Sequence, residues 1–541
     1  MVRKIDGKVE LGSVLCLHSE RRGGRSERSE PMTTESEVLT RTERAQRYFR
    51  AEYGHFIGGQ WTEGNSGRTI PVTNPADGTL LSTIQAGDAA DVNRAVAAAK
   101  AAFPSWSRSH PMQRQAVLAE MARRLTARID DFAMMETLDN GKPIRDSAGF
   151  DLPGTAAVYD FYSTTPLHLR GETMDFPDAV SLVHREPLGV CAAIVPWNIP
   201  MYCTALKLAP ALAAGNTVVL KPAESTCLAV LEFFAECADI LPPGVVNIVT
   251  GYGPETGEPL VTHPDVRKVS FTGSKPTARK IMGYAAVNIA PQTMELGGKS
   301  ANIICADADL DAAVEGVVMS TVFNKGEVCI AGTRTFVQQL VMEEFLEKLK
   351  TVLHGVSQGD PTLPETQLGP QASQVQFDKV KSYLELGPQE GAKVLTGGAP
   401  ARIPGLEKGL FIEPTIFTEV ENDMRIAQEE IFGPVTCVQA WTDEEEVLRL
   451  ANETPYGLGG GVWTRDLGRA HRFAREMQTG SVWINRYYNF VPGQPLGGYK
   501  ESGFGRENSF ETLLHYTQVK AVVINLAEGP LGIYGSAPAA I

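Results

Sequence analysis

Between residues 188 and 275 the chain alternates short β-branched runs with helical ones: VCAAIVPW, MYCTALKLAPALAAG, TVVLKPA, STCLAVLEFFAECADI, GVVNIVTG and RKVSFTG. Strands separated by about 12 to 20 helical residues form βαβ units and a parallel sheet. A parallel sheet needs helices over both faces, so the expected fold class is α/β. Its ligands bind beyond the carboxyl ends of the strands. Those ends read PWNIP, KPAES, TGYGPETG and FTGSKP, each a loop leading toward a helix, and such loops aim backbone N–H groups at an anion. Gly251–Gly257 (GYGPETG) is one residue longer than the dinucleotide fingerprint. Glu224, on the same loop as Lys221, is suited to accept hydrogen bonds from ribose hydroxyls, the alternative being a solvated charge pair.

The rest of the chain narrows the choices. With Lys+Arg 50 against Asp+Glu 64 the net charge is -14, which disfavours a phosphate-backbone partner. No apolar run approaches the ~20 residues that span a bilayer. A soluble, cytoplasmic protein with neither a nucleic-acid nor a membrane partner is expected. The eight cysteines, at 16, 191, 203, 227, 237, 305, 329 and 437, include no CxxC pair and no zinc spacing, so neither a disulfide framework nor a metal is indicated. Residues 88 to 165 place apolar residues at helical spacing, with Asp88 and Asp91 as helix-start residues. Residues 1–49 read as a solvated tail without a signal- or transit-peptide pattern; translation from Met32 is the alternative. Apolar periodicity begins near Arg50.

Further along come MELGGKS and FNKGEVCIAGTR. Cys329 stands between Gly326 and Gly332, which suggests room for a ligand to approach the backbone. A free thiol is only about 3% thiolate at pH 7, yet the thiolate is strongly nucleophilic. Taken alone, such a cysteine is more often a buried structural one.

The motifs VPWNIP, KPAE, FTGS, MELGGKS, GEVCIAGTR, EEIFGPV, WIN and PLGGYKESGFGRE follow one another from about Tyr53 to Lys520. In that order the chain resembles the aldehyde dehydrogenase superfamily, NAD(P)-dependent enzymes that oxidise aldehydes to carboxylic acids. The resemblance implies a tail over 1–49, a nicotinamide-binding αβ domain over 50–167 and 188–297, a catalytic αβ domain over 298–504, and a small bridging β segment for oligomerisation over 168–187 and 505–530. A homodimer or homotetramer follows from it.

By the same resemblance Cys329 is the nucleophile, giving a thiohemiacetal and, after hydride transfer to the nicotinamide, a thioester. Asn198 and the Cys329 backbone N–H would hold the oxyanion, and Glu295 would activate water. Lys207 and Glu507 match positions sometimes assigned to proton relay. Ile194 and Trp197 would line the nicotinamide side, and Lys221 and Glu224 the adenosine ribose. Gly253, Pro254, Gly273 and Ser274 would border the phosphates, with Glu430 on the nicotinamide ribose and Phe432 near the ring. A carboxylate at 224 repels a 2′-phosphate, favouring NAD while leaving NADP open.

Four positions depart from the family pattern: Ile199 for Phe, Ala278 for Gly inside a helix, and Lys325 and Glu327 each for Gln. Ala is favoured inside a helix, and the other three fall close to the substrate channel and bear on the substrate. Tyr202, Tyr487, Tyr488 and Phe490 would supply apolar faces for an aromatic or medium-chain aldehyde. Glu327 would draw an amino-aldehyde, and Arg486 an anionic semialdehyde, which ranks last on a chain this acidic. A CoA-acylating enzyme and a non-catalytic protein on the same fold are the rivals; Glu295 argues against the first, and the thiol, base and amide together against the second.

Overall fold

The computed structural model describes residues 41–530 and 534. Residues 1–40, with most of the expected tail and the alternative start at Met32, lie outside them. The end of that tail is corrected: Arg41–Tyr48 form a helix. Ala45 and Phe49, four apart, are buried against the core, an apolar stripe too short to stand out in so charged a run. The helical text at 88–165 gives the helices Ala89–Ser107, Pro111–Ala127, Ile129–Asn140 and Leu152–Thr164. Asp88 caps the first of these, its carboxylate accepting from the Ala90 and Asp91 amides while the Asp91 carboxylate accepts from the Asp88 amide. That reciprocal pair satisfies N–H groups with no partner inside the helix.

The βαβ text folds as expected into the α/β class. Five parallel strands lie in the order Gln292–Glu295, Val266–Thr272, Val190–Ile194, Thr217–Lys221 and Val246–Ile248. Gly503–Phe504 flanks them on one side and the hairpin His55–Ile57/Gln60–Thr62 on the other. Val190–Ile194 comes first in the chain but stands mid-sheet. The winding direction therefore reverses between it and Val266–Thr272, and the loops leaving these two strands diverge and open a crevice. Asn216 anchors this centre: its Oδ1 accepts from the Leu188 and Gly189 amides at 2.7 and 3.0 Å, and its Nδ2 donates to the Ala211 and Tyr516 carbonyls.

A second sheet runs Lys393–Thr396, Thr415–Thr418, Val435–Trp441, Arg334–Gln338, Ala301–Ile304, Gly459–Trp463 and Ser481–Ile484, parallel except at its first pair. Gln292–Glu295 of the first sheet passes into Ala301–Ile304 of the second through Leu296–Ser300 alone. The carboxyl end of one sheet is thus held near the amino end of the other.

Glu172–Asp175, Ala179–Pro187 and Thr517–Asn525 make a three-stranded antiparallel sheet. Thr517 pairs with Pro187 and Asn525 with Ala179. Both of its outer strands are edges, and Val519, Val523 and Ile524 are exposed. Gly503–Phe504 and Glu507 belong beside the first sheet, so the strap that ends the second sheet's text closes onto the first. Among the described residues no helix is long and apolar enough to cross a membrane.

Candidate active site

Two adjoining cavities open at the crevice. One, about 250 Å³, is lined by Trp197, Asn198, Cys203, Glu295, Cys329, Glu430 and Phe432 among others. The second, about 370 Å³, is lined by Ile194, Lys221, Glu224, Gly253, Pro254 and Glu258 among others. Trp197, Thr272, Gly273 and Ser274 border both. Every residue expected at a dinucleotide is therefore on one of these walls.

The strand ends carry most of this wall, and Cys329 comes from elsewhere. It precedes Arg334–Gln338, at the amino end of a strand of the second sheet, where the carboxyl-end rule does not point. Close backbone approach brings it in. A Cβ on Gly298 would fall 2.3 Å from the Cys329 carbonyl oxygen, and one on Gly297 would fall 2.3 Å from the Glu430 carboxylate, so the ELGGK glycines are demanded by the space they leave. Glu430 Oε1 accepts from the Gly298 amide at 2.9 Å, and the Trp197 and Phe432 rings meet edge to face at 5.4 Å.

Asn198 Nδ2 donates to the Glu327 carbonyl at 2.8 Å. An amide nitrogen carries two protons, so one remains for a ligand oxygen. Glu295 is buried, and its Oε1 has no hydrogen-bond partner. Burial and then the nearby Glu507 push its carboxyl well above the usual range, opposed by Lys207. Lys207 Nζ lies 2.5 Å from Glu507 Oε1 and donates to Thr272 Oγ1 at 2.7 Å. Burial, then the Glu430 and Glu295 carboxylates, push the Cys329 thiol up to about 12.

The second cavity suits a phosphate-bearing ligand. Ser274 caps the helix Lys275–Ala285 without a side-chain hydrogen bond to its backbone N–H groups, its hydroxyl meeting the Thr277 hydroxyl at 3.0 Å. Both residues line the cavity, at a helix end of the kind that binds anions through first-turn N–H groups without an intrahelical partner. Lys221 Nζ stands 3.4 Å from Glu224 Oε2. Ala278 is buried inside the helix, as its position after FTGS implies.

Several expectations need correction. Glu327 does not face the cavity: it is fully buried, with Oε2 2.7 Å from Lys325 Nζ and Oε1 accepting from the Ala372 amide. Its charge is spent inside the protein. Tyr487 is also buried, donating to the Ile330 carbonyl at 2.9 Å, and Tyr488 donates toward the Ser320 carbonyl. Phe490 packs on Trp483 at a separate groove, and Tyr202 packs against Gly154 and the core. Arg486 is exposed. The glycines beside the thiol are not there for a ligand: a Cβ on Gly326 would strike the Gly433 carbonyl and one on Gly332 the Tyr487 hydroxyl.

Gln376, Lys379 and Cys203 line the first cavity unannounced by any motif. Gln376 and Lys379 stand one turn apart on the helix Gln374–Gln389, a spacing no different from that of a solvated face. Gln376 Nε2 donates to the Phe432 carbonyl, which fixes that residue at φ 62°.

The model of the aldehyde dehydrogenase family matches residues 61–522. An aldehyde dehydrogenase of Deinococcus radiodurans is 43% identical, covering 90% of this chain and 95% of its own. The structure of P. syringae AldA, an indole-3-acetaldehyde dehydrogenase in complex with NAD+ and IAA, is 41% identical with a TM-score of 0.87, over 90% of this chain and 100% of that one. PnpE of Pseudomonas sp. WBC-3, solved with nicotinamide adenine dinucleotide, is 40% identical with a TM-score of 0.88 and the same coverage.

A thiol held this high predicts a specific alkylation profile. In the ligand-free protein the rate of Cys329 modification by iodoacetamide is expected to rise about tenfold per pH unit from 7 to 10, without the plateau near 8.5 of an ordinary thiol. A plateau below pH 9, measured by peptide mass spectrometry, would contradict the buried, carboxylate-flanked setting.

Proposed function

The chain belongs to the aldehyde dehydrogenase family, and we propose that it oxidises an uncharged apolar or aromatic aldehyde to the carboxylic acid, with NAD as acceptor and water as the final nucleophile. The observation that carries this reading is that Cys329, Glu295 and Asn198 share the wall of one cavity. Cys329 attacks the aldehyde carbon. Its proton must first leave, and Glu295, the carboxylate on the same wall with an unpartnered oxygen, is placed to accept it. The second amide proton of Asn198 and the backbone N–H of Cys329 hold the oxyanion; losing one such donor typically costs about 10²–10³ in rate. NAD, when bound, supplies the two-electron acceptor that turns this adduct into a thioester. Glu295 then activates water against the thioester, a carboxyl whose pKa is raised being a stronger base than an ordinary one. Lys207 and Glu507 lie behind it as the route by which its proton leaves.

This base favours hydrolysis over transfer to CoA. Lys221 and Glu224 are set for the adenosine ribose, the Ser274 turn for the pyrophosphate, and Glu430 for the nicotinamide ribose. Glu224 and Glu258 on one cavity wall disfavour a 2′-phosphate, which supports NAD over NADP. The first-sheet domain would then bind the dinucleotide while the second supplies the thiol. All seven cysteines among the described residues are free, in keeping with action in a reducing cytoplasm.

Ile199, Leu296, Trp197, Cys203 and Phe432 give the first cavity its apolar lining. The indole-3-acetaldehyde activity in the name of the P. syringae relative agrees with an aromatic aldehyde. An amino-aldehyde has lost its anchor now that Glu327 is paired with Lys325, and exposed Arg486 gives a semialdehyde little purchase. The exposed apolar edge strand Thr517–Asn525 supports a homodimer or dimer of dimers, because such an edge invites pairing.

Cys329→Ser is expected to abolish NADH formation, and more than a few per cent residual activity would remove Cys329 as the nucleophile. Glu295→Gln should release about one NADH per site and then turn over slowly as the thioester accumulates. In a substrate panel, benzaldehyde or hexanal should exceed succinate semialdehyde in kcat/KM; a tenfold lead for the semialdehyde, about 1.4 kcal/mol in transition-state binding, would refute the apolar reading. Light scattering at micromolar concentration should give a dimer or tetramer, and a fully active monomer would contradict that assembly.

A further inference from the structure

Lys325 and Glu327, next to the nucleophile, have no part in the chemistry above. Both are fully buried, their charged ends 2.7 Å apart. They flank Gly326, and residues 324, 325 and 326 have φ of 45°, 63° and 73°. Three consecutive left-handed residues, two of them not glycine, persist only when their surroundings over-determine them.

Here the surroundings close into a ring. Lys325 Nζ donates to Asn140 Oδ1 at 2.6 Å and to the Asn140 carbonyl at 2.9 Å. Asn140 Nδ2 donates to the Trp197 carbonyl at 2.8 Å. The next residue, Asn198, donates through Nδ2 to the Glu327 carbonyl, and the Glu327 carboxylate returns to Lys325. Asn324 braces the ring from inside, its Nδ2 donating to the Asn198 and Glu327 carbonyls at 3.0 and 3.1 Å, while its own amide donates to Asp146 Oδ2. Lys142, the neighbouring buried cation, is already held by Glu136 and Asp151. Among the described residues neither Lys325 nor Glu327 makes an ion pair with any other group. A neutral pair would tolerate slippage, whereas a buried ion cannot be left without its counter-ion.

We propose that the Lys325–Glu327 ion pair is a positioning device, locking the nucleophile turn to the Asn198 loop so that the oxyanion donor and the Cys329 sulfur face the same carbonyl carbon. It rests on the assignment of Cys329 and Asn198 made above. The ring sets the separation of two groups that arrive from different sheets, and a misplacement of about 1 Å at such a site can cost about a hundredfold in rate.

The test uses full-length Lys325→Gln, Glu327→Gln, the double variant and Lys325→Arg, which keeps the charge and changes its reach. Each single variant should lose about ten- to a hundredfold in kcat with KM for NAD within about twofold, and the double should recover at least about tenfold over the worse single. Alkylation of Cys329 by iodoacetamide needs no oxyanion donor and should stay within about twofold. Should the neutral singles fail to fold, Lys325→Arg carries the same comparison at unchanged Tm. Wild-type kcat in the folded single variants, equal losses in alkylation and turnover, or a double no better than the worse single would each overturn the positioning role. Activity surviving in Cys329→Ser or Asn198→Ala would instead overturn the underlying assignment.

Discussion

Five residues, Leu296 to Ser300, connect the last parallel strand of one sheet to the first strand of the next in sequence. Fully extended they reach about 18 Å at most, so the two sheets cannot separate without breaking the chain's own path. Glu295 stands at one end of this tether. Its two glycines admit the Cys329 carbonyl and the Glu430 carboxylate. The strap that follows the second sheet then pins it down: Ser502 Oγ donates to the Gly297 carbonyl at 2.7 Å, and the Leu296 amide donates to the Ser502 carbonyl. Glu295, Cys329 and the Glu430 carboxylate are thereby brought to one connector before any ligand arrives.

Three groups that are costly to bury lie close to this connector. A carboxyl pushed upward at Glu295, a thiol pushed upward at Cys329 and an ion pair sealed beneath them all oppose burial of charge. The Glu327 carboxylate is held by Lys325 and the Ala372 amide, and removing one partner strands another.

The first sheet was legible because its strands are β-branched runs separated by helix-length intervals, which leave little choice of topology. Its binding loops followed from the strand ends. The second sheet was less so: Gly459–Trp463 begins GGG, which carries no strand signal, and only the order of motifs placed it. Roles failed where side-chain direction depends on unusual backbone. Nothing in NKGEV reveals that Asn324 and Lys325 are left-handed, yet that turn sends Glu327 inward to Lys325. Tyr487 meets the Ile330 carbonyl across 157 residues of sequence, a contact invisible to local pattern. Gln376 and Lys379 lie on an ordinary helix and reach the cavity only because the chain brings that helix to it.

The setting of Cys329 has a consequence for its oxidation. Oxidation of cysteine to sulfenic acid and onward proceeds through the thiolate. A thiol that stays protonated in the ligand-free cavity is one that peroxide meets slowly, even though it lines that cavity. The burial and the carboxylates that make the thiol reluctant to ionise thus also slow its oxidation in the ligand-free protein.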